Sequence, residues 1–331
     1  MELSVIIPCF NAEDAIATQL EALANQHWSK PWEVIVSDNG SIDKSMEIVK
    51  SYKDRLPNLR IVDSSARRRQ SYALNIGARF SAGKFLAFCD ADDEVAPGWV
   101  AVMGEALSQY DVVHGQMCFD KFNSPEQAEP LSRLWKDGLY REQFLPHAGA
   151  GNLGVKRSVH EAIGGFDESL PRFADGDYSW RLQLAGYKLH YEPKAIYQYR
   201  IGRVNLSLPY LFRRGWTAPA ADYWTYKKYR SIGITKDMIL PRHRTFKHSL
   251  TSWLRLLRNV PSACVKGGET RMAWLQDFVM QTGEVFGQFL GRLTNPCKPL
   301  SPVKKVLDRI PFISAVLYMF QSAIDLLDVA F

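Results

Sequence analysis

The sequence predicts an α/β fold: a mostly parallel sheet flanked by helices, followed by a helical extension. Two observations carry this. Short apolar runs alternate with stretches of helical period across residues 1–204, and each candidate polar cluster falls at the carboxyl end of such a run. Strands that alternate with helices form parallel sheets with right-handed crossovers, and ligands of such sheets bind beyond the carboxyl ends of the strands.

The elements follow in order. LSVIIPCF reads as a buried strand, and Asp14 to Gln26 as a helix with Ile16, Leu20 and Leu23 on one face. WEVIVSD is the second strand, and Asp43 to Tyr52 a helix with an acidic start. LRIVDS, the helix Ser71 to Phe80 and the strand KFLAFCDAD complete the regular part. No GxGxxG follows the first strand, which disfavours a dinucleotide-binding dehydrogenase. From about Asn205 the strands give way to aromatic-basic and amphipathic helical stretches, so the expected division is 1–204 and 205–331.

Composition sets outer bounds. The chain has 331 residues, 46% hydrophobic and 23% charged, which is globular rather than disordered. A formal net charge of +6 favours anionic partners: nucleotide diphosphates, acidic lipid surfaces or nucleic acid. The five cysteines show no CxxC spacing, which argues against a disulfide framework or a cysteine metal site. Strand-like sequence begins at Leu3 with no leader pattern before it, so a cytoplasmic setting is expected.

Three acidic clusters carry the chemistry. The fourth strand ends in Asp90-Ala91-Asp92-Asp93. Alternate residues of an extended chain point the same way, so Asp90 and Asp92 are expected to share a direction. Crowded carboxylates repel unless a cation sits beside them. A hard divalent ion, Mn2+ or Mg2+, with diphosphate oxygens completing its shell, resolves this; an acidic turn into Pro97-Gly98 is the plain alternative. The second strand ends in Asp38-Asn39-Gly40, where a turn and helix cap compete with a carboxylate placed to accept from a base or ribose. Asp175-Gly176-Asp177 reads as an acidic helix start, with Arg181 one turn on to pair with Asp177. Asp175, expected just outside that helix, is a candidate general base.

In order, SVIIPCFNAE, VIVSDNGSID, NIGARFSAGKFLAFCDADD, GNLGVKRSVHEAIGGFDESL and DGDYSWRLQLAGY resemble the family 2 glycosyltransferases with the GT-A fold, from Leu3 to about Arg200. The resemblance implies an inverting transfer of one sugar from a nucleotide-sugar donor, with uracil as the implied base. It implies that Asp38 and Asn39 meet the nucleotide, that Pro8, Phe10 and Glu13 line the nucleoside pocket, and that Asp90 and Asp92 hold the sugar nucleotide and metal. Asp175 would take the acceptor's proton, with Gly151, Asn152, Asp177 and Arg181 as acceptor-side or secondary contacts. A lipid-linked or surface glycan is the implied acceptor.

The chain departs from the family pattern at three places. Ala174 precedes Asp175 where the family has Glu, and Leu74 precedes Asn75 where it often has Arg. The nearby run Arg67-Arg68-Arg69 is either a diphosphate contact or a solvated charge run. Gln198 stands where many relatives carry a histidine metal ligand, which leaves an amide oxygen as the third protein ligand. The QxxRW motif of processive synthases does not follow the acidic motif, which favours single-sugar transfer. His147 reads as a surface or core histidine, or as a pocket residue.

In residues 244–258 an apolar stripe, including Leu250, Trp253, Leu254 and Leu257, runs among Arg244, Lys247, Arg255 and Arg258. That pattern suits a helix on an anionic membrane surface, at the inner face of the cell membrane, or one packed on its own protein. The last stretch, with Gln321, Asp325 and Asp328, is too polar to span a bilayer. Two rivals to the transferase reading stand. A nucleic-acid binder would use PYLFRRGW or YWTYKKYR, but acidic clusters at the strand ends repel phosphate. A catalytically silent relative would account for Ala174, Leu74 and Gln198.

Overall fold

The computed structural model describes residues 1–141, 144–201, 207–239, 246–258 and 268–294. One eight-stranded sheet has the order β3-β2-β1-β4-β9-β6-β10-β5. Its strands are β1 (Leu3–Cys9), β2 (Trp32–Asp38), β3 (Leu59–Asp63), β4 (Phe85–Phe88), β5 (Glu94–Val95), β6 (Val112–Cys118), β9 (Leu153–Lys156) and β10 (Leu189–Gln198). The first four strands are mutually parallel, as are β6 and β10. β9 runs antiparallel between β4 and β6, and β5 antiparallel at the edge. A hairpin of β7 (Leu139–Tyr140) and β8 (His147–Ala148) stands apart.

The apolar runs of the first strands are buried on both faces, as a covered parallel sheet requires. Leu3, Val5 and Ile7 of β1 face helices α1 (Ile16–Ala24), α2 (Ser45–Ser51) and α4 (Trp99–Gln109). Ile6 turns the other way, towards α3 (Gln70–Phe80), α6 (Arg157–Ala162) and α7 (Ala174–Leu184). α1 begins at Ile16 rather than Asp14. α2 begins at Ser45, because Asp43 Oδ1 accepts from the Ser45 N–H at 3.0 Å and so caps the helix from outside.

One expectation changes here. β4 ends at Phe88, and Asp90 to Asp93 form a turn. Alternation therefore does not govern the acidic group: Asp92 is exposed, whereas Asp93 is buried.

Beyond the sheet, α5 (Pro125–Leu134) precedes a 3₁₀ turn at Lys136–Gly138, and three long helices follow: α8 (Leu208–Tyr229), α9 (Phe246–Arg258) and α10 (Gly268–Leu293). α8 and α10 touch backbone to backbone through Gly215, Gly283, Gly287 and Gly291. A Cβ at Gly283 would lie 2.5 Å from Phe212 O, and one at Gly287 2.7 Å from Trp216 Cα. Lys227 Nζ donates to Gly291 O at 2.8 Å and Arg292 O at 2.7 Å, closing the carboxyl end of α10. The pair docks on the sheet domain through Trp224 against Leu170, and through Lys228, 2.6 Å from both Asp167 and Asp177. The expected boundary at 204 and 205 falls within residues outside the described set.

α9 lies along α10, where Trp253 donates to Thr282 Oγ1 at 2.9 Å and stacks on Phe278. Part of the amphipathic stripe is thus used internally, while Leu254, Arg255 and Arg258 remain exposed. The final apolar stretch lies outside the described residues. Among the described residues no helix is long and apolar enough to cross a membrane.

Candidate active site

The β1 and β2 ends are laced into one wall. Asn11 adopts a left-handed φ of 49°. Its N–H donates to Ser41 Oγ at 3.1 Å, and its Oδ1 accepts from the Ile42 N–H at 2.9 Å. Asp38 Oδ1 accepts from the Ser41 N–H at 2.9 Å, and its other oxygen makes no hydrogen bond among the described residues. Phe10 is 45% exposed, with the Arg68 guanidinium 5.3 Å over its ring. An exposed ring and a half-used carboxylate on one wall suit a flat, hydrogen-bonding ligand. Pro8 lies just inside, paired with Ser37 in the ladder.

Two residues expected at the nucleotide prove to shape that wall instead. Glu13 Oε2 accepts from the Lys44 N–H at 3.0 Å, and its own N–H donates to Asp43. The buried Asn39 amide donates to Ser64 O at 2.6 Å and Arg67 O at 2.8 Å. It thereby fixes the loop that carries Arg67 to Arg69.

The acidic turn sits beside this wall. Asp90 Oδ1 accepts from Gln70 Nε2, at the start of α3, at 2.8 Å. A Cβ at Gly151 would lie 2.8 Å from Asp90 Oδ2, so glycine keeps that oxygen open. Burial, then the charges of Asp92 and Asp175, raise the proton affinity of Asp90 above the usual carboxylate range. Asp93 is raised by burial and by its two neighbours; it accepts from the Tyr197 hydroxyl and, at 2.5 Å, from the Arg200 N–H.

Asp175 lies in the first turn of α7, which begins at Ala174, and not just outside the helix as expected. The helix begins early because Phe173, at φ 67°, turns the chain into it. A side chain at Gly176 would strike the Phe173 ring. Asp175 Oδ1 accepts from the Gly176 N–H at 2.9 Å. The Tyr199 hydroxyl is pushed up to about 12 by burial and then by Asp93, Asp90, Asp92 and Asp175. The strand-four turn and the α7 start therefore share one electrostatic field, across about 80 residues of sequence, as tertiary folding of distant segments allows.

Three expected site residues are committed elsewhere. Asn152 is buried; its Oδ1 accepts from Trp99 Nε1 at 2.8 Å, and its amide donates to Ala195 O at 2.9 Å. Leaving that indole N–H unpaired would cost about 1–3 kcal/mol, so Asn152 is a framework residue. Asp177 is fully buried and saturated by Arg181 at 2.8 Å, Lys228 at 2.6 Å and the Tyr229 hydroxyl at 2.7 Å. Arg181 also donates to Ile163 O and Gly165 O, so this pair ties α7 to its neighbours and is not presented to an acceptor. Gln198 follows Tyr197 in β10. Successive strand residues face opposite sides, so Gln198 leaves β10 opposite Tyr197, and its buried amide oxygen has no hydrogen-bond partner among the described residues.

Among the described residues no group of three His, Cys, Asp or Glu side chains is arranged to hold a metal by itself. Asp90 and Asp92 still fit a shared hard cation. Burial and the nearby Asp92 charge raise the proton affinity of Asp90, which keeps one oxygen open beside Gly151. Asp93, Tyr197, Gln70 and Arg200, which frame this turn, went unread in the sequence. Only the third aspartate of the run signalled any of them.

Residues 4–164 match the model of Glycosyl transferase family 2. Just under half of the chain is thus similar to the family 2 glycosyltransferases. The match ends before Asp175, so the candidate base lies beyond it. Glycosyltransferase YibD of Escherichia coli, itself described as uncharacterized, is 38% identical over 142 residues, 42% of this chain and 41% of that one. Glycosyltransferase AglE of Haloferax volcanii is 31% identical over 196 residues, 56% of this chain and 63% of that one. The chain thus spans less than two thirds of the length of either.

Two solved structures share the GT-A architecture of the domain. The mannosyltransferase PcManGT from Pyrobaculum calidifontis, in complex with GDP-Man and Mn2+, superposes with a TM-score of 0.56 over 88% of this chain and 87% of its own, at 16% identity. TarS of S. aureus gives 0.54 over 86% and 55%, at 18% identity. At these identities the likeness speaks for the fold alone.

Proposed function

We propose that this chain is an inverting glycosyltransferase, moving one sugar from a nucleotide-sugar to a hydroxyl of a lipid-linked or surface glycan. The observation that carries the reading is the meeting of three chemistries at the carboxyl edge of one sheet: the Phe10 and Asp38 wall, the Asp90–Asp92 turn, and Asp175 within its field. In this reading Asp38 accepts from a base N–H, with uracil the base assigned, and Phe10 packs against the base or ribose. Asp90 and Asp92 would hold Mn2+ or Mg2+, which when bound neutralises charge on the diphosphate.

The chain's own residues supply the rest. Asp175 takes the proton of the acceptor hydroxyl as that oxygen bonds the anomeric carbon. The bond from that carbon to the diphosphate oxygen breaks in the same displacement, so the anomeric centre inverts. The nucleoside diphosphate leaves with the electron pair.

Thermal unfolding with a panel of nucleoside diphosphates, with and without manganese, tests this, because a ligand of the folded state must raise apparent stability. Uridine diphosphate should stabilise most, and Asp38→Ala should abolish most of that gain even without metal. A larger effect from guanosine or thymidine diphosphate removes the uracil assignment. No stabilisation by any of them removes the transferase reading in favour of a silent relative.

Attachment to an anionic membrane face belongs to the same proposal, supported by the outward Leu254, Arg255 and Arg258 of α9. Pelleting with anionic vesicles should be strong at low salt and fade at high salt, since screening weakens surface attraction. Equal recovery in the supernatant with anionic and neutral vesicles rules it out.

A further inference from the structure

A second concavity lies beside the catalytic edge. The space between the end of β6 and the turn after α5 is an open cleft of about 340 Å³, lined by Gln116, Asp120, Ser132, Trp135, Lys136 and Asp137 among others. Nothing in the transferase reading uses these residues. The cavity is preformed. Ser124 and Gln127 close a capping box at the start of α5, and Gly138, at φ 66°, presses the 3₁₀ turn onto the Gly115 carbonyl of the sheet. That contact leaves no room for a side chain, so the backbone of Lys136 and Asp137 is held by the sheet itself. Asp137 is fixed at φ 54°, a conformation non-glycine residues rarely hold.

Trp135 links this cavity to the site. Its ring meets His147 edge to face, with centroids 5.5 Å apart, and His147 meets Phe173 in the same manner at 5.1 Å. Phe173 is the cap of α7, two residues before Asp175. The imidazole is buried, with no partner for its Nδ1 among the described residues, and its ring contacts give the tryptophan a packed aromatic floor. The lining chemistry is a partly exposed indole, two exposed carboxylates, one exposed ammonium and a hydroxyl. An aromatic face packs the C–H face of a pyranose ring, and carboxylates accept from neighbouring hydroxyls. Two carboxylates to one ammonium repel a phosphate, so the ring they suit is uncharged.

From this we infer that the cavity is a subsite for a neutral sugar ring of the acceptor, one unit removed from the hydroxyl that Asp175 deprotonates, with Trp135 as stacking platform and Asp137 and Asp120 as hydroxyl acceptors. The inference rests on the transferase reading for its role, and on the cavity alone for its ligand.

The test is saturation-transfer NMR and titration of the full chain with methyl glycosides, neutral disaccharides and glycerol phosphate. At least one neutral saccharide should bind in the millimolar range, with Trp135→Ala weakening it by at least about tenfold. Asp137→Asn should also weaken it; Asp137 is exposed, and asparagine tolerates its backbone angle, so this variant folds even where the first does not. Undiminished binding in both cavity variants, no binding by any neutral saccharide, or preference for glycerol phosphate overturns the inference. Nucleotide stabilisation is read in parallel on the same samples. Its absence beside Trp135-dependent saccharide binding would sink the transferase reading while leaving the sugar site standing.

Discussion

Asp175→Asn is expected to lower sugar transfer by about 10²–10⁴-fold, the usual worth of a positioned general base. The substitution keeps the shape of the side chain and its acceptor oxygen for the Gly176 N–H, so the α7 start should survive. Stabilisation by uridine diphosphate and manganese should survive too, because the proposed donor contacts are Asp38 and Asp92 and do not include Asp175. A loss confined to turnover, measured alongside donor binding, identifies an acceptor-activating residue. Wild-type turnover in this variant removes Asp175 as the base. Asp177 cannot then take its place, since its carboxylate is buried under Arg181, Lys228 and Tyr229.

Asp92→Asn should abolish the metal-dependent part of donor stabilisation. A donor at 100 times its dissociation constant adds about 2.7 kcal/mol, or roughly 5–10 °C in Tm for a domain of this size. Asp92 is exposed, and the contact it offers Arg200 Nε comes from its backbone carbonyl at 2.8 Å, so the apo variant should melt with the wild type. An unchanged manganese-dependent shift would take Asp92 out of the metal set. Asp93→Asn is the informative contrast. Asp93 is buried with Tyr197 and the Arg200 N–H on its two oxygens, so this change should lower the melting temperature without ligand.

The acidic groups were legible as site material because unpaired carboxylates at the ends of buried apolar strands are costly unless they serve a charge. Their division of labour was not. The run Asp90-Ala91-Asp92-Asp93 reads as a strand end with alternating sides, yet β4 closes at Phe88 and the turn buries Asp93, which sequence had passed over. The Asp177–Arg181 pair was legible from its four-residue spacing on a helix. Its burial was not, because the groups that seal it, Lys228 and Tyr229, arrive from α8, about 50 residues later, and only long-range docking brings them there.

What the sequence alone determined was the alternation of β1 to β4 with their helices, since a strand buried on both faces and a helix buried on one leave periodic signatures in a few residues. The β9–β6–β10 half left no such signature. β9 is four residues long and carries Gly154, and β6 carries His114, Gly115 and Gln116 within its run. These strands are held by neighbours rather than by their own pattern: the Asn152 amide bridging to Ala195, and Gly115 meeting the Gly138 turn. Tertiary structure likewise decided that Gln198 leaves β10 opposite Tyr197, and that Trp135 walls a cavity at the end of β6. Strand parity at β10 depends on the register shift between Glu192 and Ile196. A register is set by cross-strand packing, and no local stretch of chain encodes it.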